Sequence, residues 1–543
     1  MLSRHDQACF ATTRRLLATI INEGLATARV EMLGPSKQRY IIITNNNDCI
    51  DKPESWVRVG LLPDAYVWLK KRDVVSIVRP ENLWLPVTTH NTTDRNMLDP
   101  EVIFDYMYPW LLGVAEESIL MEIKRELKST SANQVYSANS DPLGQYHKLC
   151  CAQSPLDPYD FEGLPDMITP LLAFVSVPRT DMLISGIFEE TLESLLTRLD
   201  VPATSPDRLI VPCLAKQLPA VRLYFPRAII IKTVSQCAHA QASMRTLTMR
   251  QELGFRYHIK LPLACLITGA IRTIPPWATR VGPAFSAILE KCLPPDLWVF
   301  NEVGGVVGSQ DNQAEATHLS CVLRDDLETR ARSNNETLFL TAALEQHPLG
   351  SERSYAQILF NLETRKEILD WIRRYVSCLF RLVLPPLINH GIGLEAHGQN
   401  LVARVCRQTR QIKGFAVRDF CGIRFHLPTL QKHGFKSLKS LRKDCTALTN
   451  DLHNVCAKWH HTVVQTHVAA LLASLGLANE AGWVIVRHEL LGALDLCEGV
   501  NRLEVGQFLL KDTMAYKCVL KMRIRGEYNK ALGSVKGSGA FYI

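Results

Sequence analysis

The spacing of apolar residues changes along this chain, and that change limits the possible folds more than any other feature of the sequence. Short apolar runs alternate with clusters of Asn, Asp and Pro in residues 28–90 and again between residues 172 and 266, as is typical of β-strands. Helical spacing covers the first 25 residues, residues 100–127 and most of the chain after about residue 430. Such a mixture of strand-rich and helical blocks predicts an α+β fold.

Individual elements can be placed within these blocks. Residues 39–44 predict a strand in the first block. In the second block strands are predicted at residues 172–177, 209–211, 221–225, 227–233 and 257–266. Residues 128–165 are polar and rich in proline, which predicts a loop.

A long helical pattern runs from residue 361 to residue 384, and we expect Pro385 and Pro386 to end it. A strand at 401–406, a polar turn at 407–413 and a second strand at 414–419 then predict a hairpin. Boundaries near residues 165 and 355 divide the chain into three predicted domains. These are 1–165, 166–355 with a β-rich pattern, and 356–543 with a helical C-terminal part.

Composition excludes several classes of protein. The chain has 543 residues, of which 47% are hydrophobic and 21% charged, so it can bury a large core and is not a disordered protein. The net charge of +7 comes from scattered basic residues, which argues against a nucleic-acid partner. The 16 cysteines form no CxxC motif and are predicted to be reduced thiols. Apolar runs are shorter than about 18 residues and no signal peptide is recognisable, so we expect a cytoplasmic protein with no membrane partner.

The densest polar cluster on apolar flanks is the segment 393–401. If this segment is extended, Glu395, His397 and Gln399 lie on one face. The hairpin that follows is long enough to bring Asp419 back beside Asn400. An amide oxygen and a carboxylate at one end of a hairpin could hold Mg²⁺, which would in turn bind phosphate oxygens.

The same spacing is similar to that of protein kinases. Glu395 lies five residues before Asn400, as the catalytic-loop Asp of a kinase precedes its Asn, and Asp419 with Phe420 and Gly422 stands where a kinase has its DFG motif. ATP with Mg²⁺ is therefore the first inference from the residues. The alternative is a hairpin with an incidental polar rim, because the chain has no kinase glycine-rich loop and no P-loop lysine.

A second candidate site lies in residues 260–273, where a strand runs through a Thr-Gly turn to Arg272 and Thr273. A guanidinium and a hydroxyl at a strand end suit a carboxylate or a phosphate.

These motifs together resemble the IucA/IucC family, the NRPS-independent siderophore (NIS) synthetases. The sequence EAHGQN at residues 395–400 and RDFCGIR at residues 418–424 are close to the family signature and have its spacing. Residues 174–179 and 260–273 also resemble family segments, in the family's order. The resemblance covers roughly residues 100–530.

The resemblance implies a hand-shaped enzyme with a thumb, β-rich fingers and a palm similar to a kinase lobe. It implies that ATP adenylates a carboxylic acid, often citrate. An amine, hydroxylamine or alcohol then displaces AMP to give an amide or an ester, in siderophore or related secondary metabolism. Homodimers are common in the family.

The resemblance also implies roles for individual residues. Arg272 and Thr273 match ATP or carboxylate contacts in the fingers. His397 matches a residue near the carboxylate and the α-phosphate, and it is a candidate base or polar relay for aminolysis. Gln399 and Asn400 match nucleotide or metal contacts.

Glu395 and Asp419 match acidic groups close to Mg²⁺, and Lys148 matches a lysine that contacts the nucleotide. Two departures from the family pattern stand out. The HPxHPxxK motif is replaced by DPLGQYHK at residues 141–148, which retains Lys148 but not the histidines, and Ala270 stands where the family often has a hydroxyl. A kinase-like phosphotransferase and a degenerate, non-catalytic family member therefore stay open beside the ligase.

Two further groups are predicted to be structural. His453, His460 and His467 are seven residues apart and share one helical face, but no Cys or carboxylate lies at ligand spacing, so we expect core or interface histidines. Cys421 is expected to have a packing role.

Overall fold

The structure is a computed structural model. It describes residues 2–33, 37–48, 53–69, 73–91, 96–111, 117–140, 156, 165–267, 270–348, 350–435, 445–478, 480–511, 514–515, 517–525 and 540–541.

Helices and strands alternate along the described chain. The α-helices are α1 (Arg4–Asn22), α2 (Pro100–Leu111), α3 (Glu117–Ser140), α4 (Pro165–Ile168), α5 (Phe188–Arg198), α6 (Leu218–Tyr224), α7 (Pro276–Cys292), α8 (Gln313–Ala316), α9 (Glu328–Ser333), α10 (Thr341–Leu344), α11 (Tyr355–Leu359), α12 (Arg365–His390), α13 (Leu427–Lys432), α14 (Leu452–Trp459), α15 (Ala469–Ser474), α16 (Glu480–Asp495), α17 (Arg502–Leu509) and α18 (Val519–Ile524). A π-helix, His460–Val468, joins α14 to α15.

The strands are β1 (Thr27–Leu33), β2 (Gln38–Thr44), β3 (Trp56–Leu61), β4 (Trp68–Leu69), β5 (Val75–Ile77), β6 (Leu83–Thr89), β7 (Leu172–Pro178), β8 (Met182–Gly186), β9 (Arg208–Leu214), β10 (Ile229–Val234), β11 (Ala238–Ala240), β12 (Thr246–Met249), β13 (Tyr257–Lys260), β14 (Leu263–Ile267), β15 (Ala270–Arg272), β16 (Leu297–Val299), β17 (Glu302–Gly308), β18 (Ser320–Asp325), β19 (Glu336–Leu340), β20 (Ile392–Gly393), β21 (Leu401–Cys406), β22 (Ile412–Val417), β23 (Arg424–His426), β24 (Leu448–Thr449), β25 (Met514–Ala515) and β26 (Ala540–Phe541). The predicted α+β class is confirmed.

The smaller of two compact units combines residues 1–147 with residues 512–543. Its four-stranded antiparallel sheet has the order β1-β2-β3-β6. Helix α1 begins where the Ser3 hydroxyl accepts a hydrogen bond from the Asp6 amide, as N-cap residues commonly do. Its apolar face, with Leu17 and Ile20 fully buried, completes the core, so the predicted N-terminal helix and strands are confirmed.

The larger unit contains residues 148–511. Its six-stranded sheet has the order β11-β12-β13-β18-β17-β8, and a four-stranded sheet has the order β16-β22-β21-β19. The predicted hairpin is β21–β22, with Leu401 opposite Val417. The predicted division of this part of the chain into fingers and palm, with the boundaries near residues 165 and 355, stays a prediction.

Helix α12 differs from its predicted end. A capping box between Thr364 and Glu367 begins it, and it continues through Pro385 and Pro386 to His390. It ends at Gly391, whose φ of 66° suits a residue without a Cβ. Interior prolines cost a helix roughly 3 kcal/mol or more, but the last turns of α12 carry fully buried apolar side chains. These are Val383, Leu384, Leu387 and Ile388, and their burial offsets that cost.

Two more local predictions were wrong. Residues 221–225 belong mostly to helix α6, which has a proline in its first turn, a position where the missing N–H has no partner to lose. The predicted loop at 128–165 is wrong for residues 128–140, which continue α3 to Ser140, and most of the remaining positions lie outside the described residues. Among the described residues, none of the helices combines the length and apolar character needed to span a membrane.

Candidate active site

A small cavity of about 90 Å³ opens between the six-stranded sheet and the β21–β22 hairpin of the larger unit. Its described lining contains five cationic side chains and one carboxylate, that of Asp419. The cations are Arg245, Lys260, Arg272, Arg324 and Arg418. A cavity with this balance of charge is suited to a ligand with several negative charges, because each guanidinium can bind two oxygens of a phosphate or carboxylate.

Asp419 lies two residues after the end of β22 in a left-handed conformation, with φ of 67°, which Asp adopts more readily than most residues. Its Oδ2 lies 2.8 Å from Nζ of Lys260. Burial alone would raise the pKa of this carboxyl, but Lys260, Arg324 and Arg245 together hold the pKa well below the usual 3.8. Asp419 is therefore an anion throughout the physiological range of pH.

Arg245 supports the second candidate segment. Its guanidinium donates to the backbone carbonyls of Arg272 (3.0 Å) and Thr273 (3.1 Å). This holds the strand end so that the Arg272 side chain lines the cavity, while Thr273 follows beside the lining. Burial lowers the pKa of the Arg245 guanidinium, but arginine keeps its charge in proteins.

The segment 395–400 is not extended, so the predicted alignment of Glu395, His397 and Gln399 on one face is wrong. The Asn400 amide donates to the His397 carbonyl at 2.9 Å, and residues 397–400 form a turn. We refer to residues 397–400, three of which are predicted site residues, as the catalytic turn. It carries Gln399 and Asn400 to the cavity. The backbone carbonyl of Gln399 accepts from Arg418 at 2.9 Å, which fixes the turn to the end of β22.

Glu395 lies beside this arrangement. Its Oε1 is 2.6 Å from Nζ of Lys458, and its Oε2 accepts from Nδ2 of Asn400 at 3.4 Å. A Cβ at position 422 would overlap its carboxylate, so Gly422 is needed for the close approach. Of the three predicted magnesium ligands, Asp419 and Asn400 thus line the cavity and Glu395 contacts Asn400 from outside the lining.

His397 begins the catalytic turn. Burial lowers the pKa of its imidazole below 6.5, although Glu395 acts in the opposite direction, so the ring is neutral at neutral pH. Its Nδ1 accepts from the Gln399 amide at 3.3 Å. That bond selects the tautomer with the proton on Nε2, which suits donation to a phosphate or carboxylate oxygen.

Four of the five cavity cations were not predicted as site residues: Arg245, Lys260, Arg324 and Arg418. Lys260 and Arg418 lie within the segments 260–273 and 418–424 that the sequence singled out. Arg324 lies within the apolar strand β18 and pairs with buried Glu302 at 3.0 Å. A charged residue inside an otherwise apolar strand is a sequence signal that could have identified Arg324, since arginine is almost never fully buried unless it is paired. Lys148, also predicted to contact the nucleotide, lies outside the described residues.

The remaining predictions concern structural residues. His460 and His467 are buried, as predicted, whereas His453 is exposed beside Glu504 at 3.4 Å. Burial raises the pKa of the Cys421 thiol to about 12, so it is not a thiolate nucleophile. Among the described residues no group of three or more His, Cys, Asp or Glu side chains could by itself hold a metal.

Two family models match the chain. The IucA / IucC family model matches residues 220–346, and a model described as ferric iron reductase FhuF-like transporter matches residues 369–531. The first match includes Arg245, Lys260 and Arg272, and the second includes the catalytic turn and Asp419.

Curated relatives extend these matches. The NRPS-independent siderophore synthetase-like protein ankE of Aspergillus thermomutatus is 42% identical over 558 residues, which is 96% of this chain and 92% of the relative. The NRPS-independent siderophore synthetase rfs of Rhizopus delemar is 29% identical, covering 70% of this chain and 61% of the relative. A D-ornithine–citrate ligase of Staphylococcus aureus is 26% identical, covering 53% of this chain and 49% of the relative.

Solved structures share the fold over almost the whole chain. The petrobactin biosynthesis protein AsbB of Bacillus anthracis has a TM-score of 0.73 at 16% identity, covering 96% of this chain and 93% of its own. ATP-bound aerobactin synthetase IucA of Klebsiella pneumoniae has a TM-score of 0.70 at 13% identity, covering 96% of this chain and 97% of its own. With a relative 42% identical over nearly its whole length, the chain belongs to the family of NRPS-independent siderophore synthetases, as the motifs at 395–400 and 418–424 predict.

Proposed function

We propose that this protein uses ATP to adenylate a polycarboxylic acid of the citrate type and then joins the acyl group to an amine, hydroxylamine or alcohol. The observation that carries the proposal is the cavity with five cations around one carboxylate. Support comes also from the names of its relatives, which include a D-ornithine–citrate ligase and siderophore synthetases. A structural neighbour was solved with ATP bound.

In the first step a carboxylate oxygen of the acid attacks the α-phosphorus of ATP, the new O–P bond forms, and pyrophosphate leaves. Both reactants are anions, so their approach depends on cations that are already in place. Arg272 and Arg418 are the guanidiniums that we assign to carboxylate and phosphate oxygens. His397 begins the catalytic turn without lining the cavity itself, and we assign its Nε2 proton to stabilise charge on the same oxygens.

In the second step the nucleophile attacks the acyl carbon, AMP leaves, and the nucleophile gives up a proton. Gln399 and Asn400 orient the adenylate from the catalytic turn, and Thr273 is retained as a nucleotide contact. Neutral His397, at the start of the catalytic turn, is the residue to which we assign relay of the released proton.

Magnesium fits this donor set when the nucleotide is present. In proteins Mg²⁺ is bound by one or two carboxylates together with substrate phosphates rather than by a full protein cage. Asp419 is an anion on the cavity wall, and Asn400 adds an amide oxygen while its Nδ2 donates to Glu395. Bound Mg²⁺ would neutralise phosphate charge.

The experiment is a product analysis with purified protein, ATP, Mg²⁺, hydroxylamine as a trap and a panel of acids that includes citrate, 2-oxoglutarate and succinate. AMP together with a hydroxamate is the expected result and identifies the acid. ADP as the product would favour a phosphotransferase instead. Tight nucleotide binding with no turnover over the panel would favour a non-catalytic member of the family.

A further inference from the structure

A buried chain of three polar side chains ends on the catalytic turn. Oη of Tyr375, on α12, lies 2.8 Å from Nε2 of His467 in the π-helix. Nδ1 of His467 lies 3.3 Å from Oγ1 of Thr341, at the start of α10. That hydroxyl lies 3.1 Å from the backbone carbonyls of both Gly398 and Leu401. The three side chains are at most 1% exposed.

The chemistry of these groups determines which atom donates and which accepts in each of these hydrogen bonds. Burial lowers the pKa of His467 to about 3, so the ring is neutral and has one donor and one acceptor nitrogen. Backbone carbonyls only accept, so the Thr341 hydroxyl donates to that of Gly398 or Leu401 and accepts from Nδ1 of His467. Nε2 of the neutral ring then accepts from the Tyr375 hydroxyl, which keeps its proton because burial raises its pKa well above 10. Every member is satisfied, as buried polar groups require.

Neighbouring contacts hold the same backbone. The Ala342 amide donates to the Gly398 carbonyl at 2.9 Å. From one turn earlier in the π-helix, the Thr462 hydroxyl lies 3.1 Å from the Leu394 carbonyl, and it also lies within hydrogen-bond distance of the carbonyls of Lys458 (3.0 Å) and Trp459 (3.2 Å). The π-helix therefore contacts the segment before the catalytic turn directly and reaches the turn itself through Thr341. Such helices are rare and occur often at functional sites.

We propose that Tyr375, His467 and Thr341 are positioning residues that fix the catalytic turn for the reaction. None of them lines the cavity. They act through the backbone of Gly398 and Leu401, which sets where Gln399 and Asn400 meet the ligand. This inference rests on the proposed function, because it assigns a task to the turn in that reaction.

The central test compares Thr341→Val, which removes the hydroxyl while keeping the shape, with Thr341→Ser, which keeps the hydroxyl. We expect Thr341→Val to lower kcat by about 10- to 100-fold with a smaller change in KM for ATP, since a misplacement of about 1 Å can cost that much. Thr341→Ser should retain most of the activity. Thr12→Val is the matched control, because Thr12 is buried in the other unit and, among the described residues, its hydroxyl bonds only to its own helix, at the Ala8 carbonyl.

Hydrogen exchange gives a second readout that needs no turnover. In Thr341→Val the amides of Asn400 and Leu401, which donate to the His397 carbonyl, should exchange faster than in the wild type. Thr12→Val should leave them unchanged. Tyr375→Phe should produce the same change through His467, and the double variant should lose little more kcat than either single variant, as expected of groups that act as a unit.

Unchanged kcat and unchanged exchange in Thr341→Val and Tyr375→Phe would overturn the inference. So would an equal kcat loss in Thr12→Val, which would show a general effect on stability. If Thr341→Val does not fold, Thr341→Ser against Tyr375→Phe carries the same comparison. A wild-type protein without turnover would count against the proposed function, whereas the exchange rates would still decide on the positioning chain.

Discussion

Asp419 is the residue on which the charge of the candidate site depends. It is the single carboxylate among the described lining residues, and Lys260 and the arginines around it keep it ionised. Asp419→Asn keeps the size of the side chain but removes its charge. We expect Mg²⁺-dependent turnover to fall by roughly 10²- to 10³-fold with the fold intact. The measurement is kcat at saturating ATP, with the melting temperature as the check on folding.

Asp495→Asn is a suitable control for that substitution. Asp495 is 80% exposed and pairs with Arg502 at 3.3 Å, and exposed pairs of this kind contribute little. Full activity of Asp419→Asn would refute the assignment of this carboxylate to the metal.

Arg272 makes a separate prediction at the same scale. Its side chain lines the cavity while Arg245 holds its backbone. Arg272→Ala should lower kcat/KM for ATP or the acid by about 2–4 kcal/mol of transition-state stabilisation, if the guanidinium meets charge in a closed site. Arg222→Ala, on an exposed position of α6, should change nothing. An unaltered kcat/KM in Arg272→Ala would show that Arg272 does not contribute to the reaction.

At the scale of elements, the loop between β22 and β23 is held against the segment before the catalytic turn through Gly422. A Cβ there would overlap the Glu395 carboxylate, which Lys458 holds at 2.6 Å. Gly422→Ala should therefore displace Glu395 from Lys458 and Asn400 and reduce kcat by about 10-fold or more. Gly492→Ala in α16 is the control, because a Cβ there meets nothing within 4 Å, and helix propensity favours Ala over Gly by roughly 1 kcal/mol. Equal activity of the two variants would contradict the role given to Glu395.

The sequence predicted these elements unevenly, for physical reasons. The β21–β22 hairpin follows from its apolar runs and polar turn, and its closure brings Asp419 beside Asn400, as predicted. Residues 397–400 form a turn because their backbone is bonded to α10 and to Arg418, and those partners are distant in sequence. Arg245 was not predicted for the same reason, since only the fold brings its guanidinium to the backbone carbonyl of Arg272. The end of α12 depends on burial of its last turns, which outweighs the local preference of two prolines.

At the scale of the whole molecule, buried ionisable groups make stability depend on pH. Burial raises the pKa of Glu345 to about 8, and its Oε1 has no hydrogen-bond partner among the described residues. The native state thus holds a proton that the unfolded state loses near pH 4.5. The stabilisation that this bound proton contributes is complete below pH 4.5 and is lost as pH rises through about 8.

Glu345→Gln removes this titration. The difference in unfolding free energy between the variant and the wild type should therefore move in favour of the variant between pH 5 and pH 9, with most of the change complete near pH 8. Urea unfolding at both pH values measures it, and comparing the two differences cancels any constant cost of the new amide. A pH-independent difference would show that the Glu345 carboxyl titrates normally in the folded protein.

The central claim is that the acid itself attacks ATP in the cationic cavity. The most direct measurement uses citrate, or the acid identified by the product analysis, labelled with ¹⁸O in its carboxylates. Mass spectrometry then locates the label after turnover. Adenylation predicts one ¹⁸O atom in the phosphate of AMP. The nucleophile attacks the acyl carbon and breaks the bond between that carbon and the bridging oxygen, so this oxygen, which came from the acid, stays on phosphorus. AMP without the label, or ADP as the nucleotide product, would contradict the account.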